Sequence, residues 1–165
     1  MPVPPIEEFA KLPLDERLSR MARTPDQLAT AITGQPESVL GRRPALKAWA
    51  AKEVICHLRD TEEGFMQRFQ SIAVMDDPRL LGPDPDRWAD ERQYLRNDAV
   101  EALHAFRRRR EESMAYLRGL SPPQFQRAGV HPIRGRFTVA DFVTLMAWHD
   151  ENHLDQLRRA LRGEP

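Results

Sequence analysis

At 165 residues the chain has room for one domain with a real core and too little for two comfortable ones. Apolar residues make up 41% and charged residues 30%, the profile of a soluble globular protein, neither disordered nor fibrous. Lysine plus arginine (25) balances aspartate plus glutamate (25), which argues against a nucleic-acid or anionic-membrane surface as the main business of the chain. Cys56 is the sole cysteine, so neither an intramolecular disulfide nor a thiolate metal cluster can form. The opening residues lack the basic and apolar regions of a signal peptide, and no apolar run approaches the ~20 residues needed to span a bilayer. A cytoplasmic location is the expectation.

After a proline-rich lead, Leu18, Met21 and Ala22 stand at helical spacing between Leu14 and Arg23. Thr24-Pro25-Asp26-Gln27 then reads as a cap with proline at the first helical position, followed by Leu28, Ala31 and Ile32 and a stop at Gly34. This predicts one broken helix or two short ones in tandem. Gly34 to Pro44 is a connector. The second helix, from about Lys47 to Ala73, carries the stripe Val54, Leu58, Phe65, Phe69 and Ile72, with Ile55 and Met66 widening it. His57 lies on its margin, with Glu53, Asp60 and Thr61 nearby in the sequence.

Met75 to Arg87 reads as a loop, broken by Pro78, Gly82, Pro83 and Pro85; an irregular connection this long is often functional. Trp88 to Leu95 is a candidate short helix. The third long helix starts near Asn97 or Asp98 and runs to Leu120, with Val100, Leu103, Phe106, Met114 and Leu117 on its apolar side. Arg107-Arg108-Arg109-Arg110 covers a whole turn and is followed by Glu111 and Glu112, so solvation and i,i+4 pairing explain it better than nucleic acid does. An arginine facing an anionic ligand is a side hypothesis. Ser121-Pro122-Pro123-Gln124 nucleates a short turn, and Gly129 to Arg136 is a second loop. Thr138 caps the last helix, which runs to about Leu161 with Val139, Phe142, Met146, His149, His153 and Gln156 inward. No stretch alternates as a strand does, and the reading is an all-α, antiparallel four-helix bundle with long crossover connections.

His149 and His153, four residues apart, project from one helix face about one turn apart. An isolated pair of this kind could be one packed and one exposed imidazole. Here both continue the core stripe, where two unliganded imidazoles are hard to satisfy, and His57 sits on the core side of another helix. The three are read as one metal site. Three neutral imidazoles bind zinc, nickel or ferrous iron and leave a position open for water or substrate. Glu53, Asp60, Asp150, Asn152 and Gln156 are candidates to orient the rings. His104 is a candidate fourth ligand or a boundary residue; His131, before Pro132, reads as solvent-facing; Cys56 reads as a small buried hydrophobe.

Trp49-Ala50-Ala51-Lys52-Glu53-Val54-Ile55-Cys56-His57-Leu58-Arg59-Asp60-Thr61-Glu62 resembles the first signature of the DinB/YfiT-like superfamily, a Trp opening helix two and then His-Leu-x-Asp-x-Glu. Trp148 to Leu157 resembles its second signature, His-x-x-x-His-x-x-Gln-hydrophobe, and Gly135 to Thr138 fits the element before it. The resemblance covers residues 1–165 as a single domain. It implies a four-helix bundle, often dimeric, whose three histidines, matched by His57, His149 and His153, bind one divalent metal. Some members look like metal-dependent hydrolases; others transfer or isomerise with low-molecular-weight thiols such as bacillithiol or mycothiol. The expectation is a metal-dependent thiol S-transferase acting on a small molecule, with a hydrolase on the same site as the alternative. A non-catalytic metal-binding or stress-response module is the alternative of another class. A homodimer, with neither nucleic acid nor membrane as partner, completes the expectation.

Overall fold

A computed structural model describes residues 2–82 and 84–165; of the loop punctuation named above, Pro83 lies outside them. In chain order the helices are α1 (Ile6–Ala10), α2 (Leu14–Ile32), α3 (Glu37–Leu40), α4 (Ala51–Val74), α5 (Pro85–Glu91), α6 (Ala99–Arg118), α7 (Pro122–Phe125) and α8 (Val139–Arg162). A 3₁₀ turn covers Tyr94–Arg96, and a hairpin of β1 (Ala128–His131) and β2 (Gly135–Thr138) precedes α8. The four long helices α2, α4, α6 and α8 form the bundle, with α4 beside α6 and α8, and α2 beside α8 and α6.

Side-chain contacts set the helix directions. Arg17 bonds Thr144 and Thr24 bonds Asp150, so α2 and α8 run parallel. Glu62 meets Arg110 and Phe69 stacks on Tyr116, so α4 and α6 run parallel as well. His57 meets His149 and Phe69 meets Phe142, so the two pairs are antiparallel to each other. Parallel neighbours joined in sequence demand a crossover as long as the bundle. The chain from Met75 to Asp98 is that crossover. It carries α5 and the 3₁₀ turn back along α4, where Tyr94 Oη donates to Asp60 Oδ2 at 2.9 Å.

The core is two apolar clusters with a polar belt between them. One gathers Leu28, Val54, Leu58, Phe106, Leu154 and Leu157; the other gathers Met21, Phe65, Phe69, Met114, Phe142 and Met146. On each long helix polar residues lie between the clusters: Thr24, His57 with Arg59 to Glu62, Arg110, and His149 to His153. The three histidines lie at this level.

Several sequence expectations are corrected. The first long helix is continuous, with Pro25 inside it. Proline has no N–H to give Met21 O, and Arg110 Nη1 from α6 donates to that carbonyl instead at 2.8 Å, so the break is mended by another helix. Helix α4 starts at Ala51 because Ala50 is extended, its N–H donating to Glu53 Oε2 at 2.9 Å. The proline-rich lead and the Gly34–Pro44 connector each contain a helical turn, α1 and α3, and α5 starts at Pro85 and ends at Glu91. Val100, assigned to the apolar side of α6, is about half exposed. The strands were missed because four residues each are too few to show alternation. They are fixed by backbone pairing, Ala128 with Thr138 through His131 with Gly135, and Gly135 takes φ +71° to close the turn. Leu80 N and Val130 N pair the 78–80 segment to the hairpin at 3.0 and 2.8 Å.

Candidate metal centre

Helix α8 is started by Thr138, whose Oγ1 accepts from Asp141 N at 3.0 Å, and stopped by Gly163 at φ 78°. Between these caps its 3.6-residue period aims His149 and His153 at α4, where His57 faces them. The three sequence-predicted ligands do converge: each offers a ring nitrogen, and these nitrogens lie within 4.8 Å of one another. His57 Nε2 and His149 Nε2 are 3.0 Å apart. Two imidazoles on one tetrahedral ion with bonds of 2.0–2.1 Å place their nitrogens about 3.3 Å apart, so the cluster is close to that spacing as it stands.

The rings are held in the ligand form. Burial, with His153 adding to it, drives His57 down to about 3. Burial also takes His149 well below its ordinary value, helped by His153, His57 and Arg110, and it lowers His153 against the opposing Gln156 bond and Asp150 charge. Three neutral imidazoles offer lone pairs, which a cation needs. Gln156 Oε1 lies 2.7 Å from His153 Nδ1; the amide oxygen can only accept, so Nδ1 carries the hydrogen and Nε2 is left to the cluster. Thr61 Oγ1 is 3.4 Å from His57 Nδ1, and its own hydrogen goes to His57 O at 2.6 Å.

Of the five residues proposed to orient the rings, Gln156 alone does so directly. Glu53 caps α4 and pairs with Arg43; Asp60 is taken by Arg59, Arg92 and Tyr94; Asn152 donates to Trp148 O. Asp150 faces the other way, into a buried network that the sequence reading missed. Arg110 is 2% exposed and meets Glu62 at 2.8 and 2.9 Å and Asp150 Oδ1 at 3.0 Å, while Thr24 Oγ1 donates to Asp150 Oδ2 at 2.7 Å. Solvation therefore fails as the account of Arg110, although exposed Arg108 fits it. Arg107 and Arg109 pair with other helices, Asp26 on α2 and Glu63 on α4, and not with the glutamates next in line. The signal was present: Arg110 fills the gap between Phe106 and Met114 on the α6 stripe, and Glu62 the gap between Leu58 and Phe65 on α4. Nor does Arg110 face a ligand, since its partners are the two carboxylates and Met21 O.

His104 is exposed and lies on a polar surface cleft with Arg59 and Asn97, away from the three histidines. His131 is half-buried at the end of β1, its Nδ1 accepting from Ile133 N and Arg134 N. Cys56 is fully buried, and burial pushes its thiol up to about 11, the opposite of what a nucleophile needs. The three histidines open onto a cleft of about 400 Å³ that Lys47, Trp49, Pro85, Asp86 and Gln156 also line. Trp49 stacks toward His153, and the start of α5 forms the facing wall.

A four-helix bundle with parallel neighbour pairs and three histidines converging from two helices defines a class of metal-site bundle. Residues 20–157 match the DinB superfamily, and the chain belongs to that family. It is 23% identical over 159 residues to YfiT of Bacillus subtilis, named as a candidate metal-dependent hydrolase, covering 96% of this chain and 89% of the relative. A similarly named protein of Oceanobacillus iheyensis is 23% identical over 152 residues, 89% of this chain and 85% of the relative. The solved structure of B. subtilis YfiT, described as having an unusual four-helix bundle topology, superposes with a TM-score of 0.84 at 22% identity, covering 90% of this chain and 86% of that one. Among the described residues no helix is long and apolar enough to cross a membrane.

Proposed function

We propose that the protein is a metal-dependent enzyme in which His57, His149 and His153 hold one divalent ion, zinc, nickel or ferrous iron, and that it transfers a low-molecular-weight thiol of the bacillithiol type to a small electrophile. The observation that carries this reading is the convergence of three neutral imidazoles on one point at the foot of an open cleft. A divalent ion in such a site acidifies a thiol or water that joins it, supplying an anionic nucleophile at neutral pH. Among the described residues the nearby buried carboxylates, Asp60, Glu62 and Asp150, are all committed to arginines. That leaves exposed Asp86 as the carboxylate on the cleft wall; a nucleophile that needs no buried protein base suits such a site, and a thiol, already more acidic than water, suits it best. Sulfur then bonds to the electrophilic carbon, whose leaving group departs with the bonding pair. Trp49 and the start of α5 flank the approach, while Gln156 keeps the His153 ring in register.

The relatives' names favour a second reading on the same site, hydrolysis with water as the nucleophile. We take the substrate to be a small molecule, the location cytoplasmic and the assembly a homodimer, without nucleic acid or membrane; charge neutrality supports the last two exclusions. The deciding experiment loads the protein with each metal and assays thiol conjugation to an aryl halide beside ester hydrolysis, with His149→Ala as control. Metal-dependent conjugation supports the transferase; metal-dependent hydrolysis alone supports the second reading. No activity with any thiol or ester overturns both and leaves a non-catalytic metal-binding or stress-response module.

A further inference from the structure

On one face of α4, His57 is followed at helical spacing by Thr61, Gly64 and Arg68. His57 belongs to the metal centre. Gly64 and Arg68 line a different cleft of about 580 Å³, walled by residues 79–82 and by the opposite side of α5. Phe65 separates the two sites, meeting the His149 ring edge-on at 6.1 Å and lying 5.3 Å beneath the Arg68 guanidinium.

Arg68 is 9% exposed, and burial pulls its guanidinium below its ordinary value. Its Nε and Nη2 donate to Leu81 O at 3.3 and 2.9 Å, and its plane lies over Phe65 and Phe142. Among the described residues no carboxylate comes within ion-pair distance of it, in contrast to the similarly buried Arg110 with its two. The acids on the cleft wall are already used: Asp84 caps α5 through Arg87 N, and Glu91 pairs with Arg87 at 2.7 Å. A guanidinium has five N–H donors, and one carbonyl leaves most of them unspent. A cation this deep without a counter-charge is costly, and an anion that enters the cleft relieves it. Arg79 stands exposed on the same wall.

Gly64 is the second observation. It sits in the middle of a 24-residue helix, where alanine would stabilise the fold. Packing does not require the glycine, since a Cβ built there meets nothing within 4 Å. What its bareness preserves is open space along the cleft wall, one turn before Arg68.

We propose that this cleft binds a small organic oxyanion, a carboxylate or a phosphate monoester. Arg68 takes the anionic group, and the apolar body lies against the α4 backbone at Gly64, beside Leu80 and Trp88. The proposal does not rest on the metal centre. It is tested by calorimetry on the full chain with phenylacetate, phenyl phosphate and the neutral phenylacetamide. At least one anion binds and the amide does not; which anion binds identifies the head group. Arg68→Gln weakens binding about tenfold or more. Gly64→Met, whose Cβ has free space and whose side chain projects into the cleft, abolishes it, and carries the test should Arg68→Gln fail to fold. His149→Ala leaves it unchanged. Binding of neither anion, equal binding of the amide, an unaltered affinity in Arg68→Gln or Gly64→Met, or loss in His149→Ala overturns the proposal.

Discussion

Replacing Arg110 by methionine tests the polar belt at its most connected point. The substitution keeps an unbranched side chain in the core but deletes the guanidinium donors to Glu62, Asp150 and Met21 O, leaving Asp150 only the Thr24 hydroxyl. Glu62 and Asp150 are 2% and 3% exposed, so both are left as buried acids without a cation. Removing one side of a buried ion pair costs about 3–5 kcal/mol. Met21 O, which Pro25 cannot serve, adds about 1 kcal/mol as an unpaired carbonyl. The expected loss is therefore about 4–6 kcal/mol, a large part of the 5–15 kcal/mol typical of a domain, and a fall in Tm of roughly 10–20 °C. Urea denaturation followed by circular dichroism reads it. Pro25→Ala supplies the lost cycle: it restores an N–H toward Met21 O, so its effect is more favourable by about 1 kcal/mol in the Arg110→Met background than in the wild type. An Arg110→Met loss below about 1 kcal/mol, or additivity of the two changes, refutes the assignment.

The metal-free protein loses stability as pH falls from about 6.5 toward about 3. Its three histidines are lowered when folded, so the unfolded chain takes up their protons first, at up to about 1.4 kcal/mol per pH unit for each, and for His57 that window reaches down to about 3. Denaturation midpoints at pH 7 and about 5 check this, and a flat profile between them contradicts the buried neutral cluster. Gln156→Leu, which frees the His153 ring, weakens metal affinity about 10- to 100-fold in a competition titration with a chromophoric chelator. Thr138→Ala removes the α8 cap and costs about 1 kcal/mol in thermal melts, with metal stoichiometry unchanged.

The long helices were legible because each carries an apolar stripe at the 3.6-residue period, and the candidate ligand pair because His149 and His153 extend such a stripe. Convergence with His57 needed only that its helix also face the core. The directions of the helices were not legible: periodicity reports which face is buried and says nothing about which neighbour covers it. The continuity of α2 through Pro25 depends on a guanidinium from 85 positions further on, beyond the reach of any local rule. Arg110 and Glu62 were passed over for the opposite reason. Their positions on the stripes were visible, but charged residues were read as solvated, and burial of a charge becomes credible only when its partner is known. The hairpin was hidden by its length, being held by backbone pairing that leaves little side-chain pattern.

The central claim is that His57, His149 and His153 form one metal centre, and metal analysis of protein purified without an affinity tag, alongside His149→Ala and His153→Ala, addresses it most directly. The account predicts one ion per wild-type chain, taken up again after chelation, and loss of that ion in both variants while the helical spectrum persists. A wild-type chain that cannot be loaded with zinc, nickel or iron, or variants that keep the ion, would contradict it.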